Sequence, residues 1–225
     1  TSGKLGNGVT LHFSTPTEIV SLEVSKLPIK SGNNSSLFIK NDGSLWAVGN
    51  NDRGALGDGT TTTRSTPVKV VDENVTQVAT WGHTMVSKND GSLWGVGGDG
   101  EGRIGDGTST HRSTPIQVVS SDVTQVAVHD HTLFIKTNGS LWGMGKNHTG
   151  QLGDGSTNHS KTPKLLISSG VIKIGSGWKH SAFVKSDGSL WTMGNNDYGQ
   201  LGTRDFTSSL VPVRIINSGV ADVAC

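Results

Sequence analysis

The stretch NDGSLWGVG, residues 89–97, holds the key to the fold. Its Asp90-Gly91 pair tolerates positive φ, so it predicts a two-residue primed hairpin turn joining a strand over Thr84–Lys88 to one over Ser92–Val96. Nearly the same words stand at residues 41–49, 137–145 and 186–194, which puts Trp46, Trp94, Trp142 and Trp191 at intervals of 48, 48 and 49 residues. A second phrase, Gly-x-Leu-Gly or its Ile variant, keeps step at residues 3–6, 54–57, 102–105, 150–153 and 199–202. So does a proline (Pro16, Pro67, Pro115, Pro163, Pro212), each ten residues after the last Gly of its phrase. Markers held in register along the whole chain define a structural repeat.

Within one unit the local patterns read as four short strands. Pro67–Val71 comes first, with proline at its start where no amide is needed, followed by Val75–Thr80, Thr84–Lys88 and Ser92–Val96. After the fourth strand comes a long Gly-, Asn- and Thr-rich connection such as 50–65, and no amphipathic helical period occurs anywhere. Four strands per unit without helices predict an all-β fold, a β-propeller of four-stranded antiparallel blades. The units run 1–51, 52–99, 100–147, 148–196 and a partial 197–225, in one repeat domain. A sandwich offers no reason to repeat one four-strand phrase. On this reading Gly makes each turn, and Leu with Trp46, Trp94, Trp142 or Trp191 anchors the strand against its neighbour, a structural role.

Composition narrows the function classes. Charged residues are 16% of the chain, the formal net charge is +1 and Gly occurs 32 times. A near-neutral chain lacks the basic excess that nucleic acid and acidic membrane surfaces select. No apolar run approaches the roughly 18 residues of a membrane span, so no membrane insertion is expected. Cys225 is the single cysteine, which excludes an internal disulfide.

The phrases also carry a resemblance. N-x-x-G-Q-L-G, then T-P, then H-[ST]-x-x-[FV]-x-K-x-[DN]-G-S-L-W-x-x-G resembles the regulator-of-chromosome-condensation repeat, most closely at 147–153 and 196–202. The dense Ser-Leu-Trp variant is similar to the bacterial branch of that family. The resemblance implies a propeller of usually seven blades, roughly 340 residues at this period. With 225 residues the chain is expected to form an incomplete or open ring, as a segment of a longer propeller or a subunit whose edges another copy covers. The first unit departs from the others: Ser35 replaces the repeated His, and Lys26-Leu27-Pro28 interrupts its second strand.

The candidate chemistry lies in the same frame. His83, His131 and His180 recur eleven residues before their Trp, and the resemblance implies a buried hydrogen-bonding role for them. Metal binding is not expected, since His129-Asp130-His131 lacks further ligands. Asp58, Asp106 and Asp154, in Gly-Asp-Gly-Thr or Gly-Asp-Gly-Ser, read as turn-forming side chains in preference to calcium ligands. No catalytic set or phosphate loop is present, so neither an enzyme nor a cofactor is expected. What varies within the fixed frame is the pair of residues before the repeated His: Trp81-Gly82, His129-Asp130 and Trp178-Lys179. In members of the family that this chain resembles, similar positions line a face that grips a protein. Trp81, His129, Asp130, Trp178 and Lys179 are therefore the expected partner-binding residues. The expected function is a non-enzymatic interaction scaffold for a protein partner. The alternatives are a structural protein joining copies of itself through open blade edges and nucleotide exchange on a small GTPase. A bacterial cell surface or the extracellular space is the expected location.

Overall fold

A computed structural model of the chain describes residues 30–32 and 34–225. The phrase at 3–6, Pro16, the interruption at 26–28 and Asn33 lie outside the described residues. The chain divides into two compact units, one reaching Gly98 and adding Thr110–Ser121, the other made of Asp99–Ser109 and Asp122–Cys225.

The first unit holds two sheets. One is β1 (Lys30–Ser31), β2 (Ser35–Ile39), β3 (Leu45–Gly49) and β4 (Arg64–Val71); the other is β5 (Val75–Thr80), β6 (His83–Lys88), β7 (Leu93–Gly97) and β8 (Arg112–Val119). The second unit repeats the plan with β9 (Val123–Val128), β10 (His131–Lys136), β11 (Leu141–Gly145) and β12 (Ser160–Ile167), then β13 (Val171–Ser176), β14 (His180–Lys185), β15 (Leu190–Gly194) and β16 (Ser209–Ile216). Every sheet is an antiparallel meander in chain order, and no helix occurs among the described residues. The fold is all-β, with four-stranded blades of the propeller type.

Two details differ from the sequence reading. The proline strand closes the sheet before it instead of opening the next one: β4 pairs with β3, and Leu45 faces Val71. It also starts three residues earlier, at Arg64. Pro67 sits on this edge strand where the register shifts between Ala47 and Gly49, so its missing N–H breaks no ladder bond. The hairpin differs as well. Gly91 N donates to Lys88 O and Lys88 N to Ser92 O, both at 3.0 Å. Gly91 has φ 76°, while Asn89 and Asp90 keep negative φ. This is a three-residue loop with glycine at the left-handed position, the alternative to a primed two-residue turn.

The wording of the phrase follows from that turn. Asp42 Oδ1 accepts from Ser44 N at 2.9 Å and Ser44 Oγ at 2.6 Å, and Trp46 Nε1 donates to Ser44 Oγ at 2.9 Å. The same relay runs through Asn138, Ser140 and Trp142 and through Asp187, Ser189 and Trp191. Above the half-buried rings lie Lys40 at 3.8 Å, Lys88 at 4.8 Å, Lys136 at 5.2 Å and Lys185 at 4.9 Å. Each ring thus has its N–H bonded and its face met by a cation.

The long connections are held from inside by a buried asparagine. Asn147 Nδ2 donates to Asp154 Oδ1 at 3.0 Å, Ser156 O at 3.0 Å and Asn158 O at 3.1 Å, while its Oδ1 accepts Leu152 N at 2.8 Å. Asn51 and Asn196 repeat this arrangement, and Asp99 takes the place in the third copy, accepting Ile104 N at 2.9 Å. Asp154 also accepts Ser156 N and Oγ and pairs with Lys164. Burial pushes its carboxyl up, but these donors outweigh burial and hold it below the usual range. Its oxygens are engaged in shaping the loop, as the turn-forming reading expects.

The connections after β3, β7 and β11 then dock on the sheet that follows. Thr84 Oγ1 donates to Ala55 O at 2.8 Å in the first unit; in the second, Thr132 Oγ1 donates to Arg103 O at 2.7 Å and Ser181 Oγ to Gln151 O at 2.7 Å. The approach is close enough to require glycine. A Cβ on Gly150, at φ 80°, would lie 2.8 Å from Leu210 Cα. Leu56, Ile104, Leu152 and Leu201 of the same phrase are fully buried. The first unit's core gathers Leu37, Leu45, Leu56, Val78 and Val86, and the second's gathers Leu133, Leu141, Leu152, Ile174 and Phe183.

Candidate functional site

Hairpin tips and docked connections bring side chains from separated parts of the chain to one surface of the second unit. Asp130, between β9 and β10, is its hub. Asp130 Oδ2 accepts Trp178 Nε1 at 2.9 Å and Lys146 Nζ at 3.1 Å, and Oδ1 receives Arg103 Nη1 at 3.4 Å. Arg103 also pairs with Glu101. Burial pushes the Asp130 carboxyl up, but the Lys146 hydrogen bond and the charges of Arg103 and Lys146 more than offset it, leaving the group below its usual range and ionised.

Trp178 is 61% exposed, although its N–H is held by a carboxylate whose side chain is only 13% exposed. Lys179 Nζ lies 4.8 Å above the Trp178 ring, and Lys179 O accepts Thr149 Oγ1 at 3.1 Å. The indole is therefore presented to solvent in a fixed pose. His129 sits half-buried beside this group, with burial pulling its imidazole below the usual value against the opposing effect of Asp130. Tyr198 at 90% and Phe206 at 72% exposure add two more solvent-facing aromatic rings to the second unit.

Of the sequence-predicted partner residues, the structure brings His129, Asp130, Trp178 and Lys179 together. Trp81 stands in the first unit at 36% exposure, beside a shallow hollow of about 290 Å³ that also includes Asn34, Asp52 and Arg53. The sequence reading missed Arg103 and Lys146. Arg103 fills the variable position of a Gly-x-Leu-Gly phrase, and Lys146 follows the closing Gly of a Trp strand. Variation at a fixed place in the frame, the signal that marked Trp178, marks both.

The repeated histidines lie deeper. His83 and His131 are fully buried, whereas His180 is half-buried. His131 Nε2 meets Ser181 Oγ at 2.6 Å and Ser176 Oγ at 3.2 Å. Burial pushes the His131 imidazole down to about 3, so it stays neutral. The His131–Ser181 contact has the residue types of a nucleophile pair, but Ser181 is enclosed and its hydroxyl is committed to Gln151 O. Among the described residues no group of three or more His, Cys, Asp or Glu is placed to hold a metal ion. Trp46, Trp94, Trp142 and Trp191 are half-buried along the third strands.

Comparison with known proteins agrees with this architecture. The family model "Regulator of chromosome condensation (RCC1) repeat" matches residues 42–86, 138–184 and 187–225, more than half of the chain, and a second model of the same description matches 171–200. The chain belongs to the RCC1-repeat family. Human WBSCR16 superposes with a TM-score of 0.78 at 24% identity, covering 92% of this chain and 56% of that one. Prp20p from Saccharomyces cerevisiae, described together with its binding to Gsp1p and histones, superposes at 0.74 and 20% identity, covering 86% and 51%. Yeast RCC1 (Prp20) bound to Kap60 gives 0.73 at 20% identity, with 86% and 50% covered. The chain thus spans about half the length of these structures, and at such identities the likeness is one of fold. No curated protein sequence matches.

Proposed function

We propose that the chain is a non-enzymatic interaction module that grips a protein partner through the Asp130-centred surface of its second unit. The observation that carries this reading is Trp178, a largely exposed indole pinned by Asp130 and stacked by Lys179. A rigid aromatic ring ringed by Arg and Lys is the usual anchor of a protein interface, because it buries a large area while losing little conformational entropy. The fold leaves such groups on loops while the strands hold the frame.

The test measures capture of defined partners by the full chain. Because Prp20p is described as binding Gsp1p and histones, a Gsp1p-type GTPase and core histones are the first baits, followed by proteins of the source cell. Trp178→Ala is expected to weaken capture at least tenfold with an unchanged circular dichroism spectrum, and Trp81→Ala to weaken it less. Undiminished capture by Trp178→Ala overturns the reading. Self-association is a second reading, favoured by Tyr198, Phe206 and Val211, all more than half exposed. It requires a mass by light scattering that rises with concentration; a monomer at every concentration excludes it.

A further inference from the structure

The first unit carries an opened version of a niche that the second unit keeps filled. In the second unit, Leu166 and Ile167 of β12 pack with Phe183 and Trp191 of the following sheet. Phe183 stacks on Trp191 with centroids 6.1 Å apart and planes 1° apart, and Arg214 lies 5.9 Å over the same indole. In the first unit the corresponding residues are Val70 and Val71 of β4, Val86 and Trp94, with Gln117 opposite Trp94 in place of Arg214. Every apolar partner of the tryptophan is smaller: Leu becomes Val, Ile becomes Val, and Phe becomes Val. Phe38 and Phe134 face their tryptophans as Phe183 does, and Phe134 stacks on Trp142 at 6.2 Å, so Val86 is the departure among the four sheets.

The missing groups leave a groove of about 390 Å³ lined by Val70, Val71, Val86, Trp94, Pro115 and Lys88, a volume within the range of ligand sites. Lys88 Nζ lies 4.8 Å over Trp94 as Lys185 lies 4.9 Å over Trp191, where the Phe183 ring is accommodated beside it. Its lip changes in the same copy. Asp72, Glu73 and Asn74 stand where the second unit has Ser168, Ser169 and Gly170. Asp72 is paired with Lys69 at 3.0 Å, which leaves the Glu73 carboxylate to meet an incoming cation.

The geometry points to a second binding site, distinct from the Asp130 surface and independent of it. It takes an aromatic side chain of a partner polypeptide whose neighbouring residue is lysine or arginine. The ring occupies the place that Phe183 fills in the sister niche, stacked on Trp94 and walled by Val70, Val71 and Val86. The adjacent ammonium or guanidinium group meets the Glu73 carboxylate. A phenyl ring is the group that this frame already accommodates elsewhere, and Asp72 and Glu73 stand where the later links of the chain have Ser120 and Ser121, Ser168 and Ser169, and Asn217 and Ser218.

The test uses two probes with one ring and opposite charge, N-acetyl-Phe-Lys-amide and N-acetyl-Phe-Glu-amide, with the indole N–H resonances of the full chain followed by NMR. The Phe-Lys probe is expected to shift the Trp94 resonance selectively and to bind several-fold more tightly than Phe-Glu. Val86→Phe fills the groove and abolishes the shift. Glu73→Gln, an exposed change that leaves folding intact, weakens the Phe-Lys probe about two- to fivefold and leaves Phe-Glu unweakened. Equal binding of the two probes, equal shifts at all the tryptophans, or undiminished Phe-Lys binding to Glu73→Gln overturns the assignment.

Discussion

Asp130→Asn removes one charge at the hub and almost no volume, so it isolates the electrostatic part of the site. The ionised carboxylate meets three donors: Trp178 Nε1 at 2.9 Å, Lys146 Nζ at 3.1 Å and Arg103 Nη1 at 3.4 Å. Hydrogen bonds to charged groups are worth roughly 1.5–3 kcal/mol each. The variant keeps an acceptor for the indole, Arg103 keeps Glu101, and Lys146, with 24% of its side chain exposed, can turn toward water. Screening at this partly exposed position reduces the loss further, to about 1–2 kcal/mol. For a chain of this size that is a fall in Tm of about 2–8 °C. The pH dependence gives the sharper readout. A carboxyl held below its unfolded value contributes stability that is complete above about pH 4 and is lost as pH falls through the folded value. Urea unfolding at pH 7, 5 and 3 should therefore show wild type and Asp130→Asn converging as the medium becomes acidic. A stability gap that persists unchanged at pH 3, or no gap at pH 7, refutes the hub.

Other perturbations probe the frame. Asn147→Ala orphans the buried Leu152 N–H and takes the side-chain donor from Ser156 O and Asn158 O, and should cost roughly 3 kcal/mol in urea unfolding; a loss below 1 kcal/mol would contradict the role given to this side chain. Gly150→Ala sets a Cβ 2.8 Å from Leu210 Cα at φ 80° and should destabilise by about 2 kcal/mol or more, measured as a lower unfolding midpoint. His131 is kept neutral, with its folded value pushed down to about 3, so stability is complete above about pH 6.5 and declines as pH falls from there toward 3. His131→Gln should flatten that decline, read as unfolding midpoints between pH 7 and 4; an unchanged slope would assign the acid sensitivity to other groups.

The period was legible because turn, tryptophan and proline positions are local demands, each set by a few neighbouring residues. Strand grouping was not, because whether Pro67–Val71 opens one sheet or closes another depends on hydrogen bonds to Leu45–Ala47, some twenty residues away. The turn type was misread for a related reason. Asp-Gly suits two hairpin geometries, and the choice was made by Ser92, whose carbonyl accepts Lys88 N and whose amide bonds the Asp90 carboxylate. At the candidate site, Trp178 and Lys179 announced themselves by departing from the repeat. Arg103 and Asp130 are 27 residues apart, and their meeting is created only by the docking of one connection on the next sheet. Val86 was visible as a letter, yet its meaning needed the cross-strand pairing with Trp94.

The hydroxyls of Thr84, Thr132 and Ser181 fasten successive connections by gripping the carbonyls of Ala55, Arg103 and Gln151. A carbonyl is the same atom pair whatever side chain it belongs to, so alanine, arginine and glutamine are tolerated there under one fastening. The molecule is thereby divided into an invariant latch and an interchangeable tip. New specificities can be written at those tips by single substitutions, without the sheets beneath having to be retuned.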